Sequence, residues 1–215
     1  SDLEIVKTWD SLGLRGSGSN TLIVDEVFVK PDAILRFSKI IEKSHPPYED
    51  FDQNYLYYNT PFYPGFYVGF PAMAIGGARR VVDEFEKHTA GRVRFSGINE
   101  KDSPTSQRVL AQLKIEMLSA EALMAEYIKM METDKGGPYE GAKYKAIRAT
   151  IIDKCTQIGV KALLTLGGHA LLKGHPVEIF TRDLMAIATH ITSLYEDGIL
   201  GYGRHLFGVQ TNIQG

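Results

Sequence analysis

Two stretches of the chain carry apolar residues at alternating steps of three and four, and this spacing constrains the fold more than any other feature of the sequence. The first stripe comprises Leu110, Leu113, Met117, Ala120, Met124, Tyr127 and Met131, and the second Tyr144, Ile147, Ile151, Cys155, Ile158, Ala162 and Thr165. Such positions share one face of an α-helix. A mean step of 3.5 residues favours crossing angles of about +20°, so the stripes predict helices packed as an antiparallel bundle.

Four helical segments are predicted, at about 65–90, 104–133, 140–171 and 177–206. "SPTSQ" at 103–107 supplies a serine cap with proline at the first helical position, and "DKGGP" after Thr133 supplies a stop. The predicted fold class is therefore mainly α, a four-helix up-down bundle preceded by a β-hairpin.

The first 30 residues are typical of two strands, "LEIVKTW" and "NTLIVDEVFV", joined by the glycine- and serine-rich "DSLGLRGSGSN". An isolated hairpin is marginal in water, so we expect residues 1–30 to be the end of a larger β domain. Prolines from Pro31 to Pro64 predict a linker over 31–64, and the helical domain then occupies 65–215.

Aromatic residues are concentrated between Tyr48 and Phe70, which contain ten of the chain's 21 Tyr and Phe residues. Such a density is suited to lining a pocket for a flat ligand. It is equally suited to a flap that covers the apolar faces of neighbouring helices.

Composition excludes several classes of function. Lys and Arg number 24 against 26 Asp and Glu, for a net charge of -2. No run of five like charges occurs, so we expect neither nucleic acid nor an anionic membrane as a partner. There is no 18-residue apolar run and no signal-peptide pattern. The single cysteine, Cys155, lies among isoleucines and is predicted to be a buried thiol, which fits a reducing cytoplasm.

Known metal and phosphate motifs are absent, and the six histidines show no ligand spacing, so no metal site is predicted. The glycines of "GLRGSGS" lie between strands and indicate a turn. Two other features are consistent with ligand binding, the arginines with a phosphate and the glycines with close approach of the backbone to a ligand. "TLGGHALLKGHP" at 165–176 interrupts a helix with paired glycines, and four arginines bracket the end of the first helix, namely Arg79, Arg80, Arg92 and Arg94. Turn formation and a solvated basic helix end explain them equally well.

"RDLMAIATHITSLYEDG" holds the two side chains best suited to chemistry, His190 and Glu196. On a continuous helix Asp183 and His190 share a face because they are seven residues apart. Glu196, nine residues after Ile187, faces the opposite way. A histidine at the edge of an apolar face is either a hydrogen-bonded core residue or a catalyst, and spacing alone leaves both open.

These segments resemble the acyl-CoA dehydrogenase superfamily over essentially the whole chain. "TWDSLGLRGSGSNTLIVDEVFV" resembles the close of its middle β-barrel domain, and the remainder its C-terminal helical domain. "TRDLMAIATH" together with "GRHLFG" at 203–208 is similar to the two-component flavin-dependent monooxygenases that oxidise aromatic compounds.

The resemblance implies a homotetramer with reduced flavin, FMN or FAD, between the β domain and the bundle. It implies that Arg92, first residue of "RVRF", contacts flavin phosphate, that Gly167 and Gly168 lie close to a cofactor, and that Arg79 is a further phosphate contact. A separate flavin reductase, molecular oxygen as co-substrate and a small aromatic substrate are also implied.

Many acyl-CoA dehydrogenases carry a catalytic glutamate nine residues after the arginine of the Arg-Asp pair, where this chain has Ile191. We therefore expect His190 to be the catalytic base or phenolate anchor of a hydroxylase that works through a flavin C4a-hydroperoxide, with Asp183 orienting it. The alternatives are an acyl-CoA dehydrogenase with bound FAD and an inactive helical oligomerisation module. The base of a dehydrogenase would be Glu196 or a carboxylate of the first helix, namely Asp83, Glu84 or Glu86.

Overall fold

The structure is a computed structural model that describes residues 3–34, 60–134 and 140–209. Strands β1 (Leu3–Val6) and β2 (Thr21–Val24) pair antiparallel, with Leu3 opposite Val24 and Val6 opposite Thr21. The predicted strands were longer, but the hairpin itself is confirmed.

Helices account for most of the rest of the chain. They are α1 (Phe62–Tyr67), α2 (Gly69–Gly91), α3 (Pro104–Thr133), α4 (Gly141–Leu166), α5 (Pro176–Ala188) and α6 (Tyr195–Leu206). Together α2, α3, α4 and the α5–α6 pair form the bundle, with α4 at its centre in contact with all the others. The predicted fold class, mainly α with a bundle after a hairpin, is confirmed.

The two apolar stripes form the core as predicted. Leu113, Met117 and Ala120 of α3 pack against Ile151 and Cys155 of α4 within one buried cluster. Cys155 is fully buried, and burial raises the pKa of its thiol to about 12. The prediction of a buried thiol is therefore confirmed.

Two predicted helix boundaries need correction. The third segment ends at Leu166 rather than 171, because Gly167 adopts a φ of +76°, outside the helical region. The first segment is two helices separated at Val68, and α1 begins inside the predicted linker. Pro64 is tolerated there because the N–H groups of a first helical turn have no partner within the helix.

The side chain of the predicted serine cap before α3 binds an arginine instead of the helix. Ser103 is the N-cap and Pro104 the first helical residue, as predicted. The Ser103 hydroxyl does not cap the helix but accepts a hydrogen bond from Arg94 Nη2 at 2.9 Å. The cap residue therefore ties the loop after α2 to the start of α3.

Within the described residues no helix is long and apolar enough to cross a membrane.

Candidate active site

The turn between α5 and α6 carries His190, one of the two candidate catalytic side chains. The sequence predicts one helix over 177–206, and this is wrong, because α5 ends at Ala188 and α6 begins at Tyr195. The spacing argument that put Asp183 and His190 on one helix face, and Glu196 on the opposite face, therefore does not hold.

Local hydrogen bonds explain why the helix stops. Ser193 N donates to the carbonyl of His190 at 2.7 Å, and Thr192 N donates to His190 Nδ1 at 3.3 Å. Bonds of this kind offer the backbone an alternative to continuing the helix. Glu196 and Asp197 then lie in the first turn of α6, where the helix dipole favours negative charge.

His190 lies at the end of a row of aromatic rings. On α1, Tyr63 stacks on Tyr67 with ring centroids 5.9 Å apart, and Tyr67 contacts Phe70 at 6.2 Å. Phe70 in turn contacts the His190 imidazole at 4.8 Å. His190 is also exposed to solvent. It is therefore neither sealed among aliphatic side chains nor remote from aromatic surface.

This row is the described part of the aromatic segment predicted from the sequence. Its residues up to 59 lie outside the described part of the chain. The described residues are consistent with both interpretations of the segment, pocket lining and cover for neighbouring helices.

The hydrogen bond between His190 and Thr192 is compatible with either neutral tautomer of the imidazole. Nδ1 lies 2.8 Å from the Thr192 hydroxyl oxygen, which can either donate or accept. With the proton on Nδ1 it donates to that oxygen, and Nε2 is free to accept a proton from a ligand. With the proton on Nε2, Nδ1 accepts from Thr192, and Nε2 can only donate.

Arg148 of α4 contacts this turn, and no sequence motif marks it as part of the site. It is 4% exposed, its Nη2 donates to the Thr192 carbonyl at 2.5 Å, and its guanidinium lies 4.6 Å from the centroid of the Tyr67 ring. Burial lowers its pKa, opposed by the Tyr127 hydroxyl. The signal was present, because Arg148 lies four residues after Tyr144 and so within the apolar stripe.

Asp183 contacts the β-hairpin instead of His190. Its Oδ1 accepts from Leu14 N at 2.7 Å, and Arg182 Nη1 donates to the Leu12 carbonyl at 3.0 Å. Between them Gly13 approaches so closely that a Cβ there would lie 2.0 Å from the Arg182 carbonyl oxygen. The Arg-Asp pair thus fastens the hairpin loop to α5, and the predicted Asp183–His190 contact does not form.

Arg92 and the glycine pair lie together at the other end of the bundle. Arg92 Nη1 donates to the carbonyl of Leu166 at 3.3 Å, and Gly167 follows directly. A Cβ built on Gly167 or Gly168 would meet no atom within 4 Å, so the surface above this backbone is open.

The other arginines of the predicted anion grip are taken by carboxylates. Arg79 pairs with Glu121 at 2.7 Å, Arg80 with Glu84 at 2.7 Å and Arg94 with Glu100 at 2.6 Å. The hydrogen bond from Arg94, with a second from Ser106, lowers the pKa of Glu100 to about 2.

Within the residues that the structure covers, Arg92 makes no ion pair with a carboxylate. Arg79 lies thirteen residues earlier on α2, about 20 Å along the helix axis. The structure therefore brings Arg92, Gly167 and Gly168 together and leaves Arg79 apart.

The carboxylates proposed for a dehydrogenase do not converge on one place. Glu196 is exposed on α6. On α2, Glu84 pairs with Arg80, and Glu86 pairs with Lys114 at 2.7 Å.

The fold and these sites define a class of protein. The family model of the acyl-CoA dehydrogenase C-terminal domain matches the sequence over residues 68–193, and the chain belongs to this family.

Curated relatives of the chain include proteins named as oxygenase components of flavin-dependent monooxygenases. The chain is 27% identical over 217 residues to the oxygenase subunit HsaA of a flavin-dependent monooxygenase from Rhodococcus jostii strain RHA1, covering 97% of this chain and 56% of that protein. It is 22% identical over 216 residues to the oxygenase component of p-hydroxyphenylacetate 3-hydroxylase from Acinetobacter baumannii, covering 98% and 51%. The chain thus spans about half the length of the curated relatives it matches.

Among solved structures, XiaF from Streptomyces sp., in complex with FADH2 and glycerol, superimposes with a TM-score of 0.82 at 17% identity, covering 100% of this chain and 55% of that one. At this identity the likeness shows a shared fold.

Proposed function

We propose that this chain is part of the oxygenase component of a two-component monooxygenase, in which reduced flavin and molecular oxygen hydroxylate a phenol or related aromatic compound. The observation that carries the proposal is the exposed His190 imidazole at the end of the aromatic row of α1 and α2. The relatives' names, which describe flavin-dependent oxygenase components, support it.

An aromatic ring is the ligand class that this surface suits. Phenol rings stack on or contact the edges of other aromatic rings favourably, and Phe70 and Tyr67 offer such faces beside His190. A substrate hydroxyl placed at Nε2 would meet an open polar atom rather than an aliphatic side chain.

His190 acts on the substrate hydroxyl. A phenolate is a much better nucleophile than a neutral phenol, but a phenol pKa of about 10 makes ionisation at pH 7 cost roughly 4 kcal/mol. Imidazole exchanges protons near neutral pH and can accept the phenol proton at Nε2, or donate to the phenolate oxygen. Arg148 and Thr192 fix the ring for this task through the turn.

Asp183 serves a different purpose in this proposal. Because its carboxylate binds the hairpin loop, it positions the β domain against α5 rather than orienting the imidazole. Asp183 is thus a positioning residue for the space between the β domain and the bundle.

Arg92, Gly167 and Gly168 fit the phosphate end of a flavin nucleotide. A guanidinium without a carboxylate partner beside open glycine backbone can bind an oxyanion through charge and close approach. When bound, reduced flavin supplies the electrons that activate oxygen. The proposal also includes a separate flavin reductase, as the name of an oxygenase component implies, and a homotetramer.

The test compares His190→Asn with a control variant, His205→Asn, in the full-length protein supplied with reduced flavin, oxygen and a panel of phenols. We expect His190→Asn to bind flavin normally but to lose about 10²-fold in hydroxylation rate, the usual contribution of a general base. Less product should form per flavin oxidised. His205, an exposed residue that lies 3.6 Å from Glu140, should have no such effect.

Unchanged rate and coupling in His190→Asn across the pH range would refute the role. An acyl-CoA dehydrogenase would instead purify with tightly bound yellow flavin that bleaches with an acyl-CoA. That spectrum would overturn the oxygenase proposal as a whole.

A further inference from the structure

Three histidines that are far apart in the sequence meet at one end of the bundle. His88 lies in the last turn of α2, His169 in the short 3-10 turn after α4, and His175 at the N-cap of α5. Their ring centroids are 5.6 to 6.1 Å apart. One ring nitrogen from each lies within 4.8 Å of the other two.

His88 has ligand capacity that the fold does not use. Its Nε2 is buried and has no hydrogen-bond partner within the described part of the chain. A buried polar atom in this state calls for an explanation, and an ion is one.

We propose that His88, His169 and His175 form a binding site for a divalent transition-metal ion, with Zn²⁺ as the best match. Three imidazoles suit zinc, nickel or copper, whereas calcium and magnesium prefer oxygen ligands. The inference does not require the proposed oxygenase activity, although the site adjoins the proposed flavin-phosphate residues, since His169 follows Gly168 directly. The spacing of the histidines along the chain gave no sign of such a site, because the three ligands come from three different elements.

The geometry is close to what zinc requires. Zinc–nitrogen bonds of about 2.0–2.1 Å in a tetrahedron place the nitrogens about 3.4 Å apart. The three nitrogens, at most 4.8 Å apart, must therefore approach one another by up to about 1.4 Å, which rotation of the side chains can supply because His169 is exposed. Three protein ligands leave a fourth position for water or another oxygen ligand.

A hydrogen bond to His175 and the charge of Arg92 both disfavour metal binding at this site. His175 Nδ1 accepts a hydrogen bond from Val177 N at 3.2 Å, and coordination by the neutral ring requires this bond to be given up. The positive charge of the Arg92 guanidinium, which acts on His88, disfavours a bound cation. The negative charge of the Glu100 carboxylate, which also acts on His88, favours it. We therefore expect a site of moderate affinity with one ion per chain.

Zn²⁺ titration of the tag-free, chelator-treated full-length protein tests the proposal, with a chromophoric chelator as competitor. His169→Ala is the informative variant, because an exposed side chain can be removed without disturbing the core. His205→Ala is the matched control. We expect one equivalent of Zn²⁺ per chain, affinity at least about tenfold weaker in His169→Ala, and no change in His205→Ala.

Two further measurements identify the ligands. Co²⁺ in place of Zn²⁺ should give the strong visible absorption of a four-coordinate site in the wild type and lose it in His169→Ala. Zn²⁺ should raise the melting temperature of the wild type and of His205→Ala, and EDTA should reverse the increase. Equal Zn²⁺ affinity in wild type and His169→Ala, or no saturable binding in the wild type, would overturn the proposal.

Discussion

At the scale of single residues, the turn after α5 places the His190 imidazole beside two groups of Thr192 that affect its tautomer. Thr192 supplies two groups to His190 Nδ1, a backbone N–H that can only donate and a hydroxyl that can also accept. Of these two groups, only the hydroxyl can accept a hydrogen bond from a protonated Nδ1. In the proposed mechanism this oxygen stabilises the tautomer whose Nε2 accepts a proton.

Replacing Thr192 with valine removes that oxygen and keeps the shape of the side chain. The backbone N–H then favours unprotonated Nδ1, so the proton stays on Nε2, which can no longer accept one from a phenol. We expect the hydroxylation rate to fall about tenfold or more, with a changed pH profile and unchanged flavin binding. Thr192→Ser should restore the wild-type profile.

Thr189→Val is the matched control. Thr189 has an exposed hydroxyl that donates to the carbonyl of Ala186 and does not touch His190. If Thr192→Val and Thr189→Val have the same rates and pH profiles in steady-state assays, Thr192 does not control the imidazole proton.

At the scale of secondary-structure elements, the contact between the β-hairpin and α5 depends on one glycine. Gly13 is buried where the hairpin loop crosses Arg182, and a Cβ would overlap backbone atoms that cannot rotate away. We expect Gly13→Ala to break the Asp183–Leu14 hydrogen bond and to lower the free energy of unfolding by about 1–3 kcal/mol. The hairpin should also become susceptible to limited proteolysis.

Gly16→Ala, three residues later, provides the comparison. A Cβ at Gly16 would meet no atom within 4 Å. We expect its denaturation midpoint and proteolysis rate to match those of the wild type. Equal midpoints for the two alanine variants would show that the loop does not need this close approach.

The elements also show which parts of the fold the sequence could predict. The buried faces of α3 and α4 could be predicted because apolar residues recur with the period of a helix wherever one face is buried. The break between α5 and α6 was not readable, since the apolar spacing gives no sign of the local hydrogen bonds that form the turn, or of the bond that Arg148 donates to it from another helix. The contact of Asp183 with Leu14 links residues 169 positions apart, and no local pattern reveals such a pairing.

Arg92 and the glycine pair likewise could be predicted from the sequence only in part. Arg92 and Gly167 were named through a family resemblance, and the structure places them together. Arg92 alone could not be separated from Arg79, Arg80 and Arg94 by sequence, because the carboxylates that occupy those three come from other turns and helices. The sequence identified four arginines that could bind a phosphate, and the structure shows which of them are paired with carboxylates.

At the scale of the whole molecule, α3 carries a second apolar stripe on the face opposite its core stripe. Ile115 and Leu118 are each 61% exposed, and Ala111 and Ala122 extend the row by one turn in either direction. Their spacing of four, three and four residues is that of a helix face that packs against another helix. This stripe supports the proposed homotetramer, in which helical domains pack together.

Placing charge on this stripe should therefore dissociate the assembly without unfolding the chain. Burial of one isoleucine and one leucine contributes about 3–6 kcal/mol per chain, and the double variant Ile115→Glu/Leu118→Glu replaces that gain with like charges that must lose water. We expect light scattering coupled to size-exclusion chromatography to give a tetramer for the wild type and a smaller species for the variant, with unchanged helical circular dichroism. Gln112→Glu, an exposed position of α3 outside the stripe, should remain tetrameric. A double variant with the mass of the wild type at every concentration would place the contact between chains on a different surface.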